Sequence, residues 1–592
     1  MIQLNPEQQE VVDHDGHSLV VACPGSGKTR VIVVKIGHIL SKNPRSRVCA
    51  VTFTRDAANE LKKRLVGDIG AEIVNKRTRV GTFHSLAIRQ LRASGQIGKI
   101  ASPAEQQIFV QRALAASEAE MTFEEAVQTI ETVKSSHTTV PEEDSPLYLA
   151  YANLLKRAQV EDLYDVLKKS LTLMQQGVVS PYPVEYMLVD EFQDTDEVQL
   201  AWVLEHVKAG TRVTVVGDDD QSVYSFRRAL GYQGMDRFRI ATDATLISLG
   251  TNYRCRSEIL SAAETLICHN EERIEKALKA ARGPGGGVMS MRYSSRPKEA
   301  EAVIEAILPH VIPILNDPWF TYTVPAGQWA VLARNRRTLD CVEEALHSRR
   351  IRYVRPPSES IWTRPPFVFF ISLLRSVQTG SADGIDQTLH YSGFAQDHIE
   401  LIHDAMQPEM WRLLDGQLPP LAGLPDDLSK TLKNFSTRAA GWRSQARQGN
   451  YRLAILGVAE WFSERIRNPD EKELFTTLSE SVCRLNGSLA QRVNTLTLPS
   501  NGSGDDEEGP SGVSLTTMHG SKGLEFDNVW IIAAEDGVIP SPKNHVYDEE
   551  RRLMYVGMTR AKNHLYMSSR VTEQPSPFVV EAGYDPRNTQ PA

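Results

Sequence analysis

The stretch Ser18 to Arg30, SLVVACPGSGKTR, constrains this chain more than any other. Ser18 to Cys23 is a largely apolar run that suits a buried strand. Pro24-Gly25-Ser26-Gly27 is a turn, and from Lys28 the apolar residues fall at helical spacing (Ile32, Ile36, Ile39, Leu40). A strand, a glycine turn and a Lys-Thr pair opening a helix make a cradle for phosphate. Glycines let backbone N–H groups converge on an anion, and the helix N-terminus adds partial positive charge. In such a cradle Lys28 reaches the β- and γ-phosphates and the Thr29 hydroxyl ligates Mg²⁺. Ala22 stands where the pattern usually has its first glycine, and the stretch alone also fits an ordinary strand–turn–helix. The choice rests on what accompanies it.

With 592 residues, 41% of them hydrophobic and 24% charged, the chain has room for several cores and an ordinary soluble composition. A net charge of −8 excludes a global basic field, so any nucleic-acid surface is a local groove. The six cysteines (Cys23, Cys49, Cys255, Cys268, Cys341, Cys483) are scattered, without a CxxC pair or zinc spacing. That predicts reduced thiols in a cytoplasm rather than disulfides or a structural metal. The polar start, MIQLNPEQQE, is no signal peptide, and Phe367 to Leu374, the longest mainly apolar stretch, is too short to span a bilayer. No membrane partner is expected.

Strand candidates follow at Val48 to Thr52, Val80 onward, Tyr186 to Asp190, Arg212 to Val216 and Thr245 to Ser248, alternating with helical patterns. This predicts a doubly wound parallel sheet. Ser102 to about Val179 is a helical insertion, opened by the capping box Ser102-Pro103-Ala104-Glu105, with a second box over Thr122 to Glu125. After the break Gly283 to Gly287, a second α/β pattern runs through Val288 to Tyr293, Trp329 to Ala333 and Arg352 to Val354. It resumes at Val513 to Thr517, Val529 to Ala533 and His564 to Ser568. Phe367 to Pro499 is helical, and Asn501 to Gly512 is an acidic linker.

Chemistry-bearing residues collect at the ends of these strands. Asp190 and Glu191 close YMLVD, where one carboxylate can hold Mg²⁺ and its neighbour can deprotonate an attacking water. Gln221 in Gly217-Asp218-Asp219-Asp220-Gln221 falls at the same sheet edge, where an amide can contact both water and γ-phosphate. Asn252-Tyr253-Arg254 and the run Tyr555 to Arg560 each present an arginine, and a guanidinium near a γ-phosphate stabilises charge spreading in phosphoryl transfer.

Taken together and in order, GSGKT, LVDEFQDT, VGDDDQSVYSFR, NYR, TTMHGSKGLEFDNV and RRLMYVGMTRAK resemble the UvrD/Rep/PcrA group of superfamily-one DNA helicases, over about residues 1 to 570. The resemblance implies two RecA-like P-loop lobes with parallel sheets, each interrupted by a mainly helical insertion. Lobe one is 1–88 and 180–282 with insertion 89–179. Lobe two is 283–370 and 508–592 with insertion 371–507, the acidic linker lying near 501–512. ATP is expected in the cleft between the lobes and single-stranded DNA across their top, with alternating grip moving the enzyme 3′ to 5′. The implied nucleotide contacts are Gln8 and Tyr253 on adenine, the turn Ala22, Cys23, Pro24, Gly25, Ser26, Gly27, then Lys28, Thr29 and Arg30 nearby. Thr29 and Asp190 would hold Mg²⁺, and Glu191 would act as base. Gln221, Arg254 and Arg560 would meet the γ-phosphate, the arginines making hydrolysis depend on lobe closure. Glu525 would contact the ribose or support the closed state. DNA contacts fall on Phe53, Thr82, His84, Tyr224, Phe226, Arg227, Thr517 and His519. Aromatics supply sequence-tolerant stacking and polar groups grip the backbone.

Several residues depart from the family. Cys23 and Pro24 replace small residues, and a thiol beside a helix N-terminus is expected to ionise, which predicts oxidant-sensitive ATPase. Phe226 replaces tryptophan and Arg228 replaces glycine. Asp536 to Tyr547 and the stretch after Leu565 look too short for the family's strand-separating hairpin, and His390 to Phe394 is the nearest match to its duplex-gripping turn. Robust translocation with weak unwinding is therefore expected, on single strands and single/double-strand junctions, with protein partners from repair, replication or defence. The alternative is a non-hydrolysing, nucleotide-sensing scaffold subunit; retention of Lys28, Asp190, Glu191, Arg254 and Arg560 argues against it.

Overall fold

The computed structural model describes residues 4–117, 119–135, 145–224, 228–314, 320–406, 409–419, 423–485, 487–496, 511–542, 544 and 546–588. Phe226, Arg227 and most of the expected acidic linker (501–510) lie outside the described residues. Packing separates two compact units: Met1–Val288 with Pro542–Asn563 and Glu581–Gly583, and Met289–Ser541 with His564–Val580 and Tyr584–Ala592.

In the first unit six strands form one sheet: β1 (Ser18–Ala22), β2 (Val48–Thr52), β3 (Thr78–Thr82), β4 (Tyr186–Val189), β5 (Arg212–Gly217) and β6 (Thr245–Leu249). Their order is β3-β2-β4-β5-β1-β6, and every neighbouring pair is parallel. β1 and β2 are buried along their whole length, as strands covered on both faces must be, which is why they read as unbroken apolar runs. Leu19 and Val21 feed one core with Phe83, Val203 and Phe238, while Val20 and Ala22 feed the other with Ile32, Ile36 and Leu61. The period of two along a strand divides β1 between them.

Between β3 and β4 the helices Pro103–Ser117, Phe123–Ser135 and Pro146–Ala158 surround their own core of Val110, Ala126, Tyr151 and Leu155. Both expected capping boxes close: the Ser102 amide donates to Glu105 Oε2 at 2.8 Å and the Thr122 amide to Glu125 Oε2 at 2.7 Å.

The core that holds Phe83 also carries a proton-sensitive group. His206 is fully buried, 4.1 Å from the Trp202 ring by centroids, with Nδ1 at 2.8 Å from the Trp202 carbonyl oxygen. Burial lowers its pKa from 6.5 to about 4. The unfolded chain therefore takes up this proton first, and stability is lost as pH falls from 6.5 towards 4, with no further loss from this group below that. Urea midpoints read by tryptophan fluorescence should show a loss of about 3 kcal/mol over that window. His206→Phe should flatten this part of the profile.

A second six-stranded sheet, most of it in the second unit, holds β7 (Gly287–Tyr293), β8 (Trp329–Ala333), β9 (Tyr353–Val354), β10 (Val513–Thr517), β11 (Phe526–Ile531) and β12 (Ala561–Arg570), in the order β7-β12-β11-β8-β10-β9. β8 pairs in parallel with β10 and β11, and β9 with β10. The strand expected over Val529 to Ala533 begins earlier and stops at Ile531; beyond it Ala533 takes a left-handed φ of 56°. The helices from Phe367–Thr379 to Leu489–Leu496 share a separate core that includes Phe370, Leu432, Trp461 and Phe475. His390 to Phe394 ends the helix Asp383–Tyr391, with Gly393 at φ 96° and Phe394 buried. Among the described residues no helix is long and apolar enough to cross a membrane.

Candidate nucleotide site

Gly25 and Gly27 both take left-handed φ values, 65° and 83°. A Cβ on Gly25 would lie 2.5 Å from Arg254 Cβ, so only glycine admits that approach. The helix Lys28–Lys42 starts from Gly27 with no side-chain cap, which leaves its first N–H groups to whatever enters the turn. Ser26 is buried and its hydroxyl has no hydrogen-bond partner, the condition a ligand oxygen relieves. Gln8 lies beside the turn, its Nε2 donating to the Ser26 carbonyl at 2.9 Å. Tyr253 is 45% exposed, and its hydroxyl accepts from Asn5 Nδ2 at 2.9 Å. Ala22, Cys23 and Pro24 are buried, Thr29 is half-buried and Arg30 is exposed. Asn252, which carries no role in the motif-level reading, donates from Nδ2 to the Pro24 carbonyl at 2.6 Å. Its Oδ1 accepts from the Arg254 amide at 2.9 Å. It thereby ties the arginine's backbone to the glycine turn.

Lys28 Nζ lies 3.1 Å from Glu191 Oε2. Burial pulls the lysine's pKa down, but Glu191, Asp218 and Asp190 outweigh it, so the ammonium is held charged. Burial and then Glu191 push Asp190 up to about 7. Such a carboxylate gains most from a cation beside it, and with the Thr29 hydroxyl it offers the hard oxygen donors that suit Mg²⁺. Glu191 takes a left-handed φ of 52°, unfavourable for a residue with a Cβ, on the way into the short helix Phe192–Asp194. Gln193 Nε2 donates to Glu191 Oε2 at 2.6 Å, and Gln193 Oε1 accepts from the Asp218 amide at 2.9 Å. This glutamine links the two strand ends; it lay unassigned within LVDEFQDT.

Arg560 is buried, and the segment that carries it, Pro542–Asn563, packs within the first compact unit. Its Nη2 donates to Gln221 Oε1 at 2.8 Å and its Nε to the Val556 carbonyl at 3.0 Å. Burial and then Arg254 lower its pKa to about 9, which leaves it cationic at neutral pH. Arg254 Nη1 donates to the Thr559 carbonyl at 3.2 Å. Behind Gln221, Asp218, Asp219 and Asp220 bring carboxylate oxygens within 4.8 Å of one another. The buried Lys276 ammonium pairs with all three, so this cluster is an ion-pair network.

The structure overturns the expectation for Cys23. Its thiol is fully buried, 3.4 Å from the Gly250 carbonyl oxygen, and burial followed by Asp218 pushes its pKa far up. Desolvation defeats the helix N-terminus, and the group stays a thiol. Ellman's reagent on the native protein should label the exposed Cys268 and leave Cys23 intact, and peroxide acting at Cys23 should not slow ATP turnover.

Of the expected DNA-contact residues, Phe53 and Tyr224 stack with ring centroids 6.0 Å apart and planes 12° from parallel. Thr82 caps the helix Phe83–Ala93, and His84 meets Tyr164 edge-on at 6.2 Å. Phe53, His84, Tyr164 and Arg228 line one cavity of about 180 Å³. Arg228 keeps a left-handed φ of 57°, the conformation for which the family's glycine is suited. Thr517 and His519 lie in the second unit, at and just past the end of β10, and Glu525 is exposed just before β11.

Two family models match this chain. The UvrD/REP helicase N-terminal domain covers residues 4–235, and the UvrD-like helicase C-terminal domain covers 247–378 and 428–572. The chain is 28% identical to ATP-dependent DNA helicase Rep of Escherichia coli K12, over 99% of this chain and 94% of that protein. It is 26% identical to ATP-dependent DNA helicase PcrA of Leuconostoc citreum, over 98% of this chain and 84% of that protein. Against PcrA of Staphylococcus aureus Mu50 the identity is 27%, over 95% and 83%. With both halves matched in order around the glycine turn, the carboxylate pair and the two arginines, the chain belongs to the UvrD/Rep helicase family.

Proposed function

We propose that this chain is an ATP-dependent DNA helicase that moves 3′ to 5′ along single-stranded DNA. The observation that carries the reading is the gathering of Lys28, Asp190, Glu191, Gln221, Arg254 and Arg560 in one compact unit around the glycine turn. In this reading the N–H groups of Gly25 to Thr29 and the Lys28 ammonium bind the phosphates, while Thr29 and Asp190 hold Mg²⁺. Mg²⁺-ATP, when bound, supplies the γ-phosphoryl group and neutralises part of its charge. Glu191 takes the proton of the attacking water, Gln221 orients that water, and Arg254 with Arg560 stabilise the charge that spreads in transfer. Gln8 and Tyr253 select the base, Arg30 lies near it, and Glu525 supports the bound state. Phe53, Thr82, His84, Tyr224, Phe226, Arg227, Thr517 and His519 contact the strand.

The same reading assigns 1–88 and 180–282 to lobe one, 283–370 and 508–592 to lobe two, and 89–179 and 371–507 to their insertions. It places the protein in the cytoplasm, at single strands and junctions. ATP hydrolysis should rise strongly when single-stranded DNA is added; no turnover even with DNA would return the non-hydrolysing scaffold reading, and turnover unaffected by DNA would uncouple hydrolysis from a DNA track. Between Ile531 and Tyr547 the described residues form turns, with Glu535 bridged to Pro575 and no hairpin strands. Unwinding of long tailed duplexes by the isolated chain should accordingly be weak while displacement of a protein block on a single strand is efficient. Fast processive unwinding by the monomer would contradict this.

A further inference from the structure

Asp218, Asp219 and Asp220 are 0–1% exposed, an arrangement that three consecutive carboxylates sustain only when matched by buried cations. Lys276 supplies one. Its Nζ lies 2.5 Å from Asp218 Oδ1, 2.8 Å from Asp219 Oδ1 and 3.0 Å from Asp220 Oδ2. Arg273 adds a second at 2.9 Å from Asp220 Oδ2, and the Ile274 amide donates to Asp219 Oδ2 at 2.7 Å.

Asp218 carries this network to the nucleotide site. Its Oδ2 accepts from Gln221 Nε2, and Gln221 Oε1 accepts from Arg560 Nη2 at 2.8 Å. A glutamine amide has one donor end and one acceptor end. Asp218, held against the Lys276 ammonium, takes the donor end through Oδ2 and Arg560 takes the acceptor end, so the two together determine which way the amide faces. We propose that Lys276 is a positioning residue for ATP hydrolysis, acting through Asp218 to hold the Gln221 amide with its oxygen towards Arg560. The proposal rests on the reading that Gln221 and Arg560 serve the γ-phosphate, and adds to it a lysine 58 residues from the aspartate through which it acts.

Two variants of the full chain separate positioning from simple charge balance. The wild-type cluster sets three carboxylates against two cations. Lys276→Met unbalances it. Lys276→Met with Asp219→Asn restores the original net charge, and the carboxamide oxygen introduced by the second change can still accept from the Ile274 amide. Thermal melting reports folding of both. We expect the double variant to melt as wild type yet to lose about 10²-fold in kcat for DNA-stimulated hydrolysis, the scale of a misplaced reacting group. Its affinity for a non-hydrolysable ATP analogue and for single-stranded DNA should be unchanged. Recovery of wild-type kcat in the double variant would overturn the proposal, as would a loss confined to nucleotide affinity. Adding either change to Gln221→Ala should lower kcat no further, because Lys276 acts through that amide; additive losses would also overturn it. Gln221→Ala alone tests the underlying reading. Hydrolysis at the wild-type rate would remove Gln221 from the mechanism, whatever the Lys276 variants do.

Discussion

Arg560→Ala is expected to lower kcat of the DNA-stimulated ATPase by about 10³-fold or more, the range in which an arginine finger acts. Nucleotide affinity should fall far less. Arg560 is buried, keeps its charge despite a pKa lowered to about 9, and is aimed at Gln221 by a 2.8 Å hydrogen bond. Such a guanidinium stabilises charge that develops during transfer more than charge already present in the ground state. Steady-state turnover at saturating single-stranded DNA, set beside binding of a fluorescent ATP analogue, separates the two effects. A large loss of affinity with kcat intact would assign Arg560 to binding instead. Arg560→Lys should recover only part of the rate, since an ammonium cannot both donate to Gln221 and keep the planar fork.

Glu191→Gln should reduce kcat by about 10²- to 10⁴-fold, the usual contribution of a general base. Its signature lies in the binding. Glu191 Oε2 sits 3.1 Å from Lys28 Nζ, so the carboxylate competes with phosphate for the ammonium. Neutralising it removes that competition, and nucleotide affinity should hold or tighten as turnover collapses. Glutamine preserves the size of the side chain and the turn at φ 52°, so thermal melting should stay close to wild type. If binding weakens in step with kcat, Glu191 is an electrostatic support of the cradle and a different group takes the proton.

Much of this was legible in the chain because its signals are local. Apolar runs mark β1, β2 and β4 within a residue or so, and the Ser102 and Thr122 capping boxes lie where their spacing places them. Asp190, Glu191 and Gln221 follow from strand ends in a parallel sheet, whose C-terminal edge gathers loops from distant parts of the chain. Lys276 was not legible, because nothing near it in sequence announces three buried aspartates 56 to 58 residues away. Cys23 was misread for a related reason. A helix N-terminus is visible in sequence, while the desolvation that holds the thiol protonated depends on Gly250 and the strands packed around it.

The phosphate turn, the alternation that makes a parallel sheet, and the ordered motifs that place the chain among helicases can all be read from the amino-acid order alone. These depend on backbone sterics and side-chain period over a few residues. That Arg560 meets Gln221 across 339 residues of chain, and that Lys276 closes the charge balance behind it, depends on the folded molecule. Buried ionic groups are stable only with their partners in place, and which partners arrive is settled by packing across the whole unit.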